Sequence, residues 1–155
     1  MRLGASPVAA CWTWATLAFA ATAALVVAQA ATRAPFLEDV TSTEDGDTGA
    51  LELRFTAPAK FMHHFPPAEG AILRVVLQYS TADQHPAPVW QEKKIIPARG
   101  RMPRLVVRVT DDTGCDDIVR PVCLYLEFEQ PVHYRVHGGG DGRSLLLDLA
   151  LPEKD

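Results

Sequence analysis

From Leu124 the chain reads LYLEFEQPVHYRVHGGGDGRSLLLDLALP. Apolar and polar residues alternate, stop at Pro131, alternate again, run into a Gly/Asp turn and alternate a third time. A period of two is the signature of a strand with one buried face. The same order begins at Leu51, in LELRFTAPAKFMHHFPPAEGAILRVVLQ. Leu51, Leu53, Phe55, Pro58 and Phe61 fall opposite Leu124, Leu126, Phe128, Pro131 and Tyr134. After one deletion in the second loop, Leu73, Val75 and Leu77 meet Leu145, Leu147 and Leu149. Each copy also has a candidate leading strand, Phe36 to Thr41 and Leu105 to Thr110, followed by an acidic turn. Repeat one therefore covers about 36–79 and repeat two about 105–151. The connector, 80–104, carries Pro86, Pro88, Pro97 and Pro103 and a candidate edge strand at Val89 to Ile96.

No segment has helical periodicity, so the expected class is all-β. Pro58 and Pro131 are expected at corners, where a missing N–H costs least. Two four-strand units with one apolar face each cover those faces most economically by stacking, giving a pseudo-twofold β-sandwich.

Alternation then assigns the faces. Leu124, Leu126, Phe128, Val132, Tyr134, Val136, Leu145, Leu147 and Leu149 are expected inside, leaving Glu127, His133, Arg135, His137, Leu146 and Asp148 outside. The first copy leaves Glu52, Arg54, Lys60, Met62, His64, Arg74 and Val76 outside. Arg, Lys and His at outward strand positions can hold carboxylates or sugar hydroxyls through charge-assisted hydrogen bonds. They also suit a solvated sheet face with cross-strand ion pairs.

The first thirty residues change the picture of where this happens. They contain one charge, Arg2, an apolar run from Trp12 to Val27, and small residues at Ala28-Gln29-Ala30. That is the layout of a secretory signal peptide cut after Ala30, with residues 31–155 as the mature domain, in a periplasmic or other exported setting. A retained membrane anchor is the rival. The formal net charge of −4 becomes −5 once Arg2 is removed, which argues against a nucleic-acid partner. Cys115 and Cys123 remain, an even count that reads as a disulfide in an exported chain. Zinc would need two further ligands at usable spacing.

Other chemistry finds little support. His133 and His137, at i and i+4 on a strand, stand about 13 Å apart, too far to share an ion. GGGDGR lacks the Lys and Ser/Thr of a phosphate-binding P-loop. Neither EDGDTG nor DDTGCDD has the alternating ligands and distal Glu of a calcium loop. Ser144 has no nucleophile-elbow context, and no carboxylate pair stands out, so a small hydrolase is the least favoured class and no cofactor is expected.

On Phe128, Pro131, Val132, Tyr134, Val136, Asp141, Arg143, Leu145, Leu147, Asp148 and Leu149, the second copy resembles the AMIN family of bacterial periplasmic domains, and the first copy resembles a more divergent repeat of it. The resemblance implies a non-catalytic β-sandwich that directs envelope proteins to their sites, with peptidoglycan as the ligand. Carried over, Arg135, Arg143 and Asp148 become ligand-binding candidates beside the outward His133, His137, Arg74 and Lys60. AMIN domains usually precede an effector domain, whereas here the chain runs only a few residues past the last strand. A solitary module is expected to act as an adaptor or merely to decorate the cell wall. The alternative is a protein-interaction subunit of an envelope assembly that adds a partner's strand to the edge near Val89 to Ile96.

Overall fold

The computed structural model describes residues 34–80, 91–111 and 114–152. The expected signal segment and Val89 and Trp90 of the expected edge strand lie outside them. The described residues are all-β, with no helix and one antiparallel sheet of eight strands. These are β1 (Leu37–Asp45), β2 (Thr48–Phe55), β3 (Ala59–Phe65), β4 (Glu69–Tyr79), β5 (Gln91–Ile96), β6 (Leu105–Thr110), β7 (Pro121–Gly138) and β8 (Ser144–Ala150). The order runs β1-β2-β8-β7-β4-β3, with β6 also paired to β7 and β5 to β6.

The repeat is visible in the register. Leu51 pairs Leu147 and Leu53 pairs Leu145 between β2 and β8; Leu124 pairs Val75 and Leu126 pairs Leu73 between β7 and β4. Under the sequence alignment of the two copies these are the same pairs. Phe61 with Leu77, and Tyr134 with Leu149, match in the same way. Each repeat thus gives its last strand to the other repeat's second strand. The expectation is two four-strand units laid face to face around a shared core; what is observed is one sheet in which backbone ladders join the halves, so that strand edges within the core keep their N–H and C=O groups paired.

Alternation placed the core well. Leu53, Leu73, Val75, Leu124, Leu126, Leu145 and Leu147 are fully buried in one cluster that draws on both repeats, and Val136 packs against it partly buried. The Phe36 and Phe55 rings stack in it at 4.8 Å.

Two local expectations fail. Pro131 does not end a strand: β7 is continuous for 18 residues. Pro131 falls where β7 changes partners, between the Ile72–Glu127 and Gly70–Val132 pairs, where β4 uses one residue against four of β7. A missing N–H is harmless there because that stretch has left the β4 ladder. Pro58, by contrast, does lie between β2 and β3. The second failure is His64, expected outside. A bulge between Phe61 and His63 moves the alternation by one, so His63 shares a face with Val76 while His64 sits opposite the buried Val75.

The outer strands β1 and β5 are tied by side chains. The Glu92 carboxylate accepts the backbone N–H groups of Phe36 and of Leu37, the latter at 3.0 Å, and Lys94 reaches Asp39 at 3.2 Å. Farther along β1, Arg101 bonds Glu44 through Nε at 2.9 Å and Asp47 through Nη1 at 3.0 Å. These two acids hold the guanidinium charged even more firmly than usual.

Candidate functional site

The two repeats have equivalent outer faces, and among the described residues only one of them is open. On β4 and the first half of β7 the outward residues include Val76, Cys123 and Tyr125. Val76 and Cys123 are completely buried, beneath a loop that brings in Cys115 and Ile118. Val76, expected outside, does point away from the main core, but this cover hides it. Cys115 and Cys123 lie at disulfide distance, S–S 2.21 Å. The loop is held elsewhere too: Arg74 Nη1 donates to Cys115 O at 3.4 Å, Gln78 Nε2 to Val119 O at 3.3 Å, and His63 Nε2 sits 3.1 Å from Asp116 Oδ2. Arg74, one of the expected ligand residues, is therefore engaged in holding the cover.

By the repeat's own equivalence, the positions matching Val76, Cys123 and Tyr125 are Asp148, Ala50 and Glu52. Among the described residues these carry no such cover: the turn joining β1 to β2 is only Gly46-Asp47, with Gly46 at φ 56°, in the left-handed region that glycine occupies without penalty. Asp148 and Ala50 are exposed, and Arg135 lies directly across from Asp148. His137 Nδ1 is 4.0 Å from Asp148 Oδ2, and His133 Nδ1 is 3.6 Å from Glu69 Oε2. The two histidines thus face different acids, as their spacing requires. Among the described residues no three His, Cys, Asp or Glu side chains gather into a metal site.

His133, Arg135 and Asp148 converge on an open groove of about 660 Å³, whose other walls include Thr48, His64 and the Pro67–Ala68 segment. That segment is fixed from below. Tyr134 donates its backbone N–H to Ala68 O at 2.9 Å and its hydroxyl to Pro66 O at 3.2 Å, while His64 Nε2 lies 3.0 Å from Pro67 O. Burial first, and the nearby Glu69 carboxylate second, push the Tyr134 hydroxyl above its ordinary pKa, which keeps it a donor. Within the groove, Arg135 makes no hydrogen bond or ion pair with other described residues, leaving a planar fork of five N–H donors beside an exposed carboxylate. Such a set suits a ligand with both carboxylates and hydroxyls. His64 and the Pro67–Ala68 wall escaped the alternation argument, since a bulge and a loop brought them in; the adjacent prolines Pro66 and Pro67 were the available signal.

The remaining expected residues lie apart. Arg143 precedes β8 and is five positions from Asp148, roughly 16 Å along an extended chain. Its backbone N–H donates to Asp141 Oδ1 at 2.9 Å, and Ser144 Oγ donates to the same oxygen at 2.8 Å. Lys60 sits on β3. The Arg143 amide first, then the Ser144 hydroxyl, hold the Asp141 carboxyl below its ordinary pKa. A depressed carboxylate favours the folded state above its ordinary pKa, and the contribution fades as pH falls through the lowered value. In an acid titration the Arg143 amide resonance should keep its position through the ordinary aspartate midpoint near ~3.9 and move only below it. Movement centred at that midpoint or above would contradict the assignment.

No family model matches the chain, nor does any curated protein or solved structure.

Proposed function

We propose that this protein is a non-catalytic, exported, AMIN-like β-sandwich that binds cell-wall glycan, peptidoglycan being the natural candidate, through the groove on its open outer face. The observation that carries the reading is the asymmetry between two equivalent faces: one is closed by the Cys115–Cys123 loop, and the other leaves Arg135, Asp148 and His133 together around a groove. Peptidoglycan offers the matching chemistry, hydroxyls on its sugars and carboxylates on its peptide stems. The cysteine pair supports an oxidising compartment, as does the signal-like leader. The shared register of the two repeats supports reading the first copy as a divergent repeat of the AMIN-like second.

The second reading, strand addition by an envelope protein at β5, has an outer edge strand in its favour. That strand, however, carries Glu92 and Lys94 on the side turned toward β1, and both are engaged there. Inward charges of this kind discourage added strands, so glycan binding is placed first.

Sedimentation with purified sacculi tests the proposal. Wild type should pellet, and Arg135→Ala should lose about tenfold in affinity, the effect of one charge-assisted hydrogen bond. Arg143→Ala, remote from the groove, should pellet like wild type. Failure of wild type to pellet, or equal pelleting of Arg135→Ala, would remove the site.

A further inference from the structure

The duplication predicts a second groove, and one is present. Ala59 N donates to Gly142 O at 2.9 Å, the counterpart of the Val132–Gly70 pair on the other side of the pseudo-twofold. So the Gly-rich turn before β8 clasps the start of β3 just as the Pro67–Ala68 segment clasps β7. Between turn and strand lies an open groove of about 440 Å³, lined by Lys60, Phe61, Gly138, Gly139, Gly142 and Ser144. Lys60 and Phe61 occupy the places that His133 and Tyr134 hold in the first groove.

The chemistry of this second groove differs from the first. Its glycines make one wall bare backbone: a Cβ on Gly139 would collide with Ser144 Oγ, and Gly142 sits at φ 64°. The cations nearby are concentrated. Lys60 follows Ala59, which bonds the turn, and Arg54 precedes Phe55, whose N–H donates to Arg143 O at 2.8 Å. Lys60, Arg54 and the Arg143 side chain make no hydrogen bond or ion pair among the described residues. The acid of the turn, Asp141, has its Oδ1 occupied by the Arg143 amide and the Ser144 hydroxyl. Lys60 is the charged side chain that lines the groove, while Arg54 acts on the carboxylates of both Asp141 and Asp39 and Arg143 belongs to the turn itself.

We propose that this second groove is a binding site for a small oxyanion, a carboxylate or phosphate group, with Lys60 as its principal charge and the turn backbone as its floor. Arg143, in the same turn, adds to the attraction at long range, an effect that weakens with salt. The site is separate from the glycan groove and does not depend on it.

Amide NMR of the full chain, titrated with inorganic phosphate and separately with acetate at constant ionic strength, tests the assignment. Either anion should give saturable shifts at Lys60 and at residues 138–143. A response to phosphate alone identifies a phosphate site, to acetate alone a carboxylate site, and to both a general oxyanion site. Lys60→Ala should weaken the affinity about fivefold or more, as expected for losing one exposed charge-assisted contact. Lys60→Arg should restore it, and Arg135→Ala should leave it unchanged. Lys60 is exposed, so the spectra of its variants should otherwise overlay the wild type. Shifts that fail to saturate with both anions, or an affinity indifferent to Lys60→Ala, would overturn the proposal.

Discussion

Phe55→Ala should lower the unfolding free energy by about 3–5 kcal/mol, the usual loss when a buried aromatic ring is removed from a core that cannot fully collapse. Phe55 is only 1 % exposed, stacks on Phe36, and ends β2 at the point where its N–H bonds Arg143 O. It therefore joins the start of β1 to the turn of the opposite repeat, and the void would open where the two repeats meet. Urea unfolding should show a lower midpoint with little change in slope, since the surface exposed on unfolding is nearly the same. A loss under about 1 kcal/mol would mean that the aromatic stack is peripheral to the core.

Breaking the Cys115–Cys123 link should cost about 2.5 kcal/mol, the chain-entropy estimate for so short a loop. Comparing oxidised and reduced wild type in urea measures this without altering packing. The local effect should be sharper than the global one. The loop covers Val76 and Tyr125, so reduction should speed amide exchange in residues 114–120 and expose apolar surface on β4 before the sheet itself opens. Arg74 would lose its contact with Cys115 O at the same time. Equal stability and exchange in both redox states would show that the cover is held by Arg74, Gln78 and His63 alone.

Much of the fold was legible because period two is a strong signal when one face is buried. Leu105–Thr110 was bounded to the residue, and the inward sets of the second copy all reached the core. The all-β class and the cysteine pairing followed from equally local evidence. What escaped was anything set by contacts far apart in sequence. Alternation says that Leu51 faces inward, but not that its neighbour is Leu147 of the other repeat rather than a strand of its own. A bulge at Met62 cannot be seen in a pattern that tolerates either phase, and His64 was misplaced for that reason. Val76 points outward as read, yet it is buried because a disulfide loop lies over it, a cover that an argument from strand alternation does not contain. The candidate site was legible to the same degree. His133, Arg135 and Asp148 share a face and a groove, while Arg74, Arg143 and Lys60 lie outside that groove, because pointing outward is not proximity.

The exchanged pairing of the last strands also bears on how such a molecule arises. One repeat made alone, residues 34–80, would hold a second strand whose proper neighbour exists only in another chain. Its most economical folded form would be a swapped homodimer, assembling at a rate set by protein concentration. Fusing two copies in one chain makes that encounter intramolecular and so independent of protein concentration. Once the two halves no longer had to be identical, one could acquire a disulfide cap while its twin kept a bare surface, a division of labour denied to a symmetric ancestor.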